Sequence, residues 1–157
     1  MDTIKVGDEF FIHVLIKNAQ NVFGVAVSLN YPLDVISIST NEGSPVITKG
    51  GFLGEESQVL PGLSLNQGNN TGTLLIGYSL NSGGVPEKSG EGRMFTIKAK
   101  ALKAGSHKLS WSTNSVVQNS ESKNQPARFD DFELNVENNE GQINIVYIEI
   151  GKTSSPA

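Results

Sequence analysis

NNTGTLLIGYSLNSGGVPEKSGEGRMFTIKAKALKAG, residues 69–105, is the stretch whose reading decides the fold. Leu74, Ile76, Tyr78 and Leu80 alternate with Thr73, Leu75, Gly77 and Ser79. That period of two belongs to a strand with one face on a core. A connection dense in Gly, with one Pro, follows at SGGVPEKSGEG. In RMFTIKAKAL the alternation returns, with Met94, Thr96, Lys98 and Lys100 set against Phe95, Ile97, Ala99 and Ala101. Turns close the unit at 69–72 and 103–105. The outward side of its first strand, Leu75, Gly77 and Ser79, is small and nearly uncharged, whereas a solvated face usually carries charge. An ordinary strand can show the same pattern, so this is a pointer toward a partner surface and no more.

Working outward, the same alternation recurs along the chain. Residues 10–17 place Phe10, Ile12, Val14 and Ile16 on one face and Phe11, His13 and Leu15 on the other, and 18–21 read as a turn. In 23–31, Phe23, Val25, Val27, Leu29 and Tyr31 alternate with Gly24, Ala26, Ser28 and Asn30, again a small, neutral outward set. Pro32 breaks this strand because it cannot donate to a ladder, and 35–39 resume it. Residues 41–45 read as a loop, and Phe52-Leu53 as a core contact made from a glycine-flexed loop. Residues 58–66 form a strand with Val59, Leu63 and Leu65 inward and Leu60, Gly62, Ser64 and Asn66 outward; Pro61 places it at a sheet edge or a bulge. Residues 106–112 turn His107, Leu109 and Trp111 inward. Residues 114–126 read as a polar surface loop, 132–136 and 142–150 as closing strands, and 138–141 as a hairpin-like turn. No segment carries a helical stripe. Strands spaced by Gly, Pro and Asn turns predict an all-β, two-sheet β-sandwich of jelly-roll topology.

The chain has 157 residues, a formal charge of −4 and no cysteine. One domain over 1–150 is expected, with 151–157 as the start of a linker or a tail. Disulfides and thiolate metal sites are excluded. The charge speaks against nucleic acid, which wants a basic stripe, and no apolar run is long enough to insert in a membrane. His13 and His107 lie in alternating strands and read as packing histidines. Dinucleotide and P-loop fingerprints are absent. Glu55 and Glu56, or Asp130, Asp131 and Glu133, are candidate ligands for a hard cation, but without an EF-hand-like run they read as solvated loop carboxylates, and no metal site is expected. Polysaccharide binding on a sandwich uses exposed aromatic rings, and Trp111 with most Phe and Tyr residues falls on inward positions. These observations favour a binding module over an enzyme.

The order of motifs resembles the cohesin modules of cellulosome scaffoldins and related surface proteins. It is carried by VGDEFFIHVLI, FGVAVSLNYPLDVISI, GGFLG, NNTGTLLIGYSL, GEGRMFTIKAKALKAG and NNEGQINIV, spread over residues 4–148. The resemblance implies about nine strands and recognition of a calcium-loaded dockerin, with the calcium on the dockerin and no cofactor in this chain. It implies an extracellular or cell-surface module that docks its parent protein onto a scaffold. The implied partner surface is one sheet face: Ala26, Ser28 and Asn30 beside Leu60, Gly62, Ser64, Leu75, Gly77 and Ser79, with Lys108 at one side. Leu60 and Leu75 would anchor, the serines and asparagine would hydrogen-bond, and Gly77 would allow close approach. Gly24 and Ala26 stand where many cohesins carry polar residues, which marks a divergent member. A flat neutral face also suits weak homodimerisation through the same surface. Two other readings are a carbohydrate-binding module and a structural domain without a ligand.

Overall fold

The computed structural model describes residues 4–60, 62–82, 84–121, 123–130, 132–137 and 143–150. Among these the chain is all strand and turn, with no helix. The first strands are β1 (Ile4–Lys5), β2 (Glu9–Val22), β3 (Gly24–Pro32), β4 (Ile36–Ile38), β5 (Thr40–Asn41) and β6 (Ser44–Pro45). Next come β7 (Ile47–Lys49), β8 (Ser57–Val59), β9 (Leu63–Gly68), β10 (Thr71–Leu80), β11 (Lys88–Ala101) and β12 (Gly105–Trp111). The last are β13 (Val116–Gln118), β14 (Asn124–Gln125), β15 (Ala127–Phe129), β16 (Phe132–Glu137) and β17 (Ile143–Ile150). The segments outnumber the expected strands because bulges and breaks divide long strands and short bridges form between turns.

One sheet runs β1-β16-β12-β3-β10-β8, with β9 also on β10, β13 on β3 and β14 on β13. The other runs β15-β17-β2-β11-β4, with β7 also on β11. The glycine-rich connection at 81–87 therefore crosses from one sheet to the other, and β10 and β11 face each other across the core. Tyr78 of β10 meets Phe95 of β11 edge-on, with ring centroids 6.2 Å apart. The inward residues read from the sequence are buried as expected: Leu74, Ile76, Tyr78 and Leu80 on β10, and Val25, Val27, Leu29 and Tyr31 on β3. From the opposite sheet come Phe10, Ile12, Val14 and Ile16 of β2 and Phe95, Ile97, Ala99 and Ala101 of β11. Burial of such side chains, each worth about 1.5–3 kcal/mol, is what holds the layers together.

Three local readings are corrected. Residues 18–21 do not turn the chain, because β2 continues through them to Val22. Asn18 and Asn21 take positive φ, 54° and 53°, a conformation asparagine tolerates, and the register against β11 shifts there. These bulges bend the strand without ending it, and Ala19 between them is buried. Residues 41–45 are a small hairpin, β5 on β6, turned by positive φ at Glu42 and Gly43. Residues 114–126 are not merely a surface loop: β13 pairs with β3, and its Val117 is fully buried. The turn expected at 138–141 lies outside the described residues. Its flanking strands, β16 and β17, belong to different sheets and do not form a hairpin.

The GGFLG segment docks as read. Leu53 is fully buried and Phe52 packs against the core. Leu53 N donates to Tyr78 Oη at 2.8 Å, and Tyr78 Oη donates to the Gly50 carbonyl at 3.2 Å. Gly50 is required by close approach, since a Cβ there would collide with the Arg93 carbonyl. Burial pushes the Tyr78 phenol above its ordinary pKa, so the hydroxyl stays protonated and able to donate.

Candidate functional site

The outer face of the β3/β10 sheet is a lattice of cross-strand rows set by register. In antiparallel pairs, residues opposite each other share a face. One row joins Gln58, Ser79, Gly24 and Gln118. The next joins Gly77, Ala26 and Val116, and Leu60 folds its side chain over Gly77. A third joins Leu63, Leu75 and Ser28. A fourth joins Leu65, Thr73, Asn30 and Ser110, where the Thr73 hydroxyl donates to Asn30 Oδ1 at 2.9 Å. The two middle rows are apolar except for Ser28, which is buried. Polar rows border them on both sides, an apolar centre with a polar rim that is the usual anatomy of a protein interface.

Two shallow concavities lie end to end on this face. One, about 360 Å³, is lined by Ala26, Leu60, Leu63, Leu75, Gly77 and Asn114. The other, about 520 Å³, lies along Asn30, Leu65, Thr73, Ser112 and Asn114. Ser28, Leu75 and Asn114 line both, so together they make one trough between the leucines and the 112–115 turn. That turn is tied down: Ser28 N donates to Ser115 Oγ at 3.0 Å, and Ser112 N to the Ser28 carbonyl at 2.8 Å.

Of the residues expected on this surface, the structure brings together Ala26, Asn30, Leu60, Leu75, Gly77 and Ser79; Ser28 shares their rows but is buried, at 5% exposure. Gly62 and Ser64 do not join them. Ser64 pairs with the buried Leu74 and shares a hydrogen bond with Tyr31 Oη at 2.9 Å, on the core side. A Cβ on Gly62 would meet Ile47 and Pro45. The faces of β9 are thus inverted from the expectation, and Leu63 and Leu65, read as inward, stand exposed at 53% and 38%. Gly77 does permit close approach, but the group approaching it is this chain's own Leu60, 44% exposed. Lys108 is exposed and lies past Ser110, where β12 has turned to pair with β16; it borders the rows from outside them.

Sequence reasoning missed Leu63, Leu65, Val116 and Asn114. A signal for them existed in the distribution of charge. Residues 18–33, 57–86 and 109–120 contain no Asp, Glu, Lys, Arg or His. These runs include β3, β8, β9, β10 and β13, which build the face. Charge-free stretches of that length, in a chain with 18% charged residues, mark strands whose outward side is something other than solvated.

The other candidate sites do not assemble. Among the described residues no three His, Cys, Asp or Glu side chains gather as a metal site. Asp130 pairs with Arg128 at 2.8 Å. His13 Nδ1 shares a hydrogen bond with Thr96 Oγ1 at 2.8 Å, and burial, then the Arg93 charge, lowers its pKa. His107 Nε2 reaches the carbonyls of Lys103 and Ala104. Both histidines are satisfied where they pack. Among the described residues Phe11 is the one exposed aromatic; it stacks on His13 on the opposite sheet, and one ring is no stacking platform for a polysaccharide.

No protein-family profile matches the chain, and no curated protein sequence matches it. Solved structures do. A non-cellulosomal cohesin from the hyperthermophilic archaeon Archaeoglobus fulgidus is similar with a TM-score of 0.55 and 17% identity, over 94% of this chain and 83% of that one. The second type II cohesin module of the adaptor scaffoldin ScaA from Acetivibrio cellulolyticus gives 0.63 and 16%, over 99% and 93%. A chain of a type I cohesin–dockerin complex from Clostridium thermocellum gives 0.53 and 13%, over 95% of each. The fold is that of the cohesin modules, at sequence identities that mark wide divergence.

Proposed function

We propose that this domain is a non-catalytic recognition module that binds a calcium-loaded dockerin through the outer face of the β3/β10 sheet. The observation that carries the reading is the row pattern: Leu60, Leu63, Leu75, Ala26 and Val116 in the centre, Ser79, Thr73, Asn30 and Ser110 at the rim. Similarity to chains from cohesin–dockerin complexes supports the choice of partner. Asn30 and Ser79 supply hydrogen-bonding groups, Leu75 and the three edge leucines supply apolar area, and no bond is made or broken. Calcium belongs to the partner. In this reading the module works outside the cell or at its surface and docks its parent protein onto a scaffold.

Calorimetric titration with a panel of calcium-loaded dockerins tests the proposal. Saturable heat that EDTA abolishes, with no calcium heat from the module alone, is the expected result. Silence across a panel that includes type I and type II dockerins would overturn it.

A further inference from the structure

A second interaction site lies along the edge of the same sheet, and it does not depend on the dockerin reading. β9, Leu63-Ser64-Leu65-Asn66-Gln67-Gly68, is exposed at all six residues. It pairs with β10 on one side, and among the described residues no strand pairs with it on the other. Leu60 N donates to the Gly77 carbonyl and Asn81 N to the Glu56 carbonyl, so the odd-numbered residues of β10 turn their backbone groups toward this edge. Leu63 and Leu65, opposite Leu75 and Thr73, direct their amides and carbonyls inward to β10. Ser64 and Asn66 therefore direct theirs to the open side.

Edges of this kind are normally blunted by charge, proline or a bulge. β7, in the other sheet, carries Lys49, and β15 carries Arg128. β9 has no charge and no proline, and its one register shift is a bulge at Gln67, which has no partner between Gly68 and Asn66, so that 63–66 keep a regular edge.

We infer that β9 pairs antiparallel with β9 of a second copy of this chain, about a two-fold axis through Leu65. In that register Ser64 exchanges both backbone hydrogen bonds with Asn66 of the other copy, and the reverse pair does the same. Leu65 packs against its counterpart across the axis. The two sheets become one continuous sheet. Because 57–86 are uncharged, the two-fold brings no like charges together. A six-residue edge buries less than the roughly 1,200 Å² of a standard stable interface, so the dimer is weak and dependent on concentration. The homodimer expected from the sequence through the sheet face thereby moves to its edge.

Sedimentation velocity over a concentration series into the millimolar range tests this, with two variants. Leu65→Lys sets two ammonium groups face to face. Asn66→Pro removes an outward amide while leaving every leucine of the face in place. The wild type is expected to shift from monomer toward dimer as concentration rises, and both variants to stay monomeric with wild-type circular dichroism. A wild type that stays monomeric throughout overturns the proposal. So does a Leu65→Lys variant that dimerises normally. A folded Asn66→Pro variant that dimerises like the wild type would place the contact on the face instead of the edge. If Asn66→Pro does not fold, Leu65→Lys alone decides.

Discussion

The two outer faces of the sandwich come from strands of similar alternation, yet they differ in kind. On β2 and β11 the outward positions carry Glu9, His13, Lys98 and Lys100 beside Phe11 and Leu15, with Glu9 and Lys98 paired at 3.5 Å. On β3 and β10 they carry Ala26, Ser28, Asn30, Leu75 and Gly77, with exposed leucines along the edge. The first face is soluble by its charge. The second is small, neutral and partly apolar, as the proposed partner surface requires. Secondary structure does not explain this contrast, since the β3/β10 and β2/β11 pairs are both antiparallel ladders.

The largest effect expected is on binding. Leu75→Glu puts a carboxylate in the apolar centre and should cost at least about 2 kcal/mol of partner affinity, roughly 30-fold in Kd. Lys100→Glu on the opposite face should change affinity by no more than about 0.5 kcal/mol. Titration of both against one dockerin checks this, with thermal melts showing both folded. Equal affinities would erase the functional distinction between the faces.

Smaller in size is the effect of Tyr78→Phe. It leaves Leu53 N and the Gly50 carbonyl without their buried partner, a loss of about 1–3 kcal/mol measurable by urea denaturation. Because the pinned 50–54 segment leads directly into β8 and Leu60, the variant should also weaken binding at the neutral face. A stability unchanged from wild type would show that the pin does not hold that face in place.

The smallest effect concerns the turn where the chain crosses from β3 toward β4. Asn70 Nδ2 donates to Asp34 Oδ1 at 2.6 Å, and Lys103 Nζ lies 3.2 Å from Oδ2. The Asn70 amide first, then Lys103, holds the Asp34 carboxyl below its ordinary pKa. A carboxylate depressed in the folded state contributes stability that is present above its unfolded pKa. That contribution is lost as pH falls through the lower, folded value. Thermal melts between about pH 6 and about pH 2 should therefore decline less steeply in Asp34→Asn than in wild type. Identical slopes would mean that the pair is solvent-screened to nothing.

Much of the architecture was legible in the sequence. The inward sets of β2, β3, β10 and β11 follow directly from a period of two, and GGFLG was correctly read as a core contact. Half the candidate face was legible as well, because Ala26, Ser28, Asn30, Leu75, Gly77 and Ser79 are simply the other half of those alternations. Residues 58–66 resisted for a physical reason. Leucine is read as inward, and that rule holds only when a sheet lies opposite. At the edge, β9 has its core side taken by Ser64 against Tyr31, so Leu63 and Leu65 fall on the face, which alternation alone does not announce. Asn18 and Asn21 misled in a similar way, since asparagine in a left-handed conformation marks a turn and a bulge equally well.

What the sequence determined by itself is therefore the set of strands, their buried sides and the neutrality of one group of them, because alternation and charge are local properties of the chain. Tertiary structure decided which strands share a sheet, that β10 and β11 face each other across the core, and that β8 and β9 form the edge. It also decided that Leu60 covers Gly77 while Leu63 and Leu65 join it in the open. Those outcomes depend on contacts between residues far apart in the chain, where pairing register sets which side of a strand a residue takes.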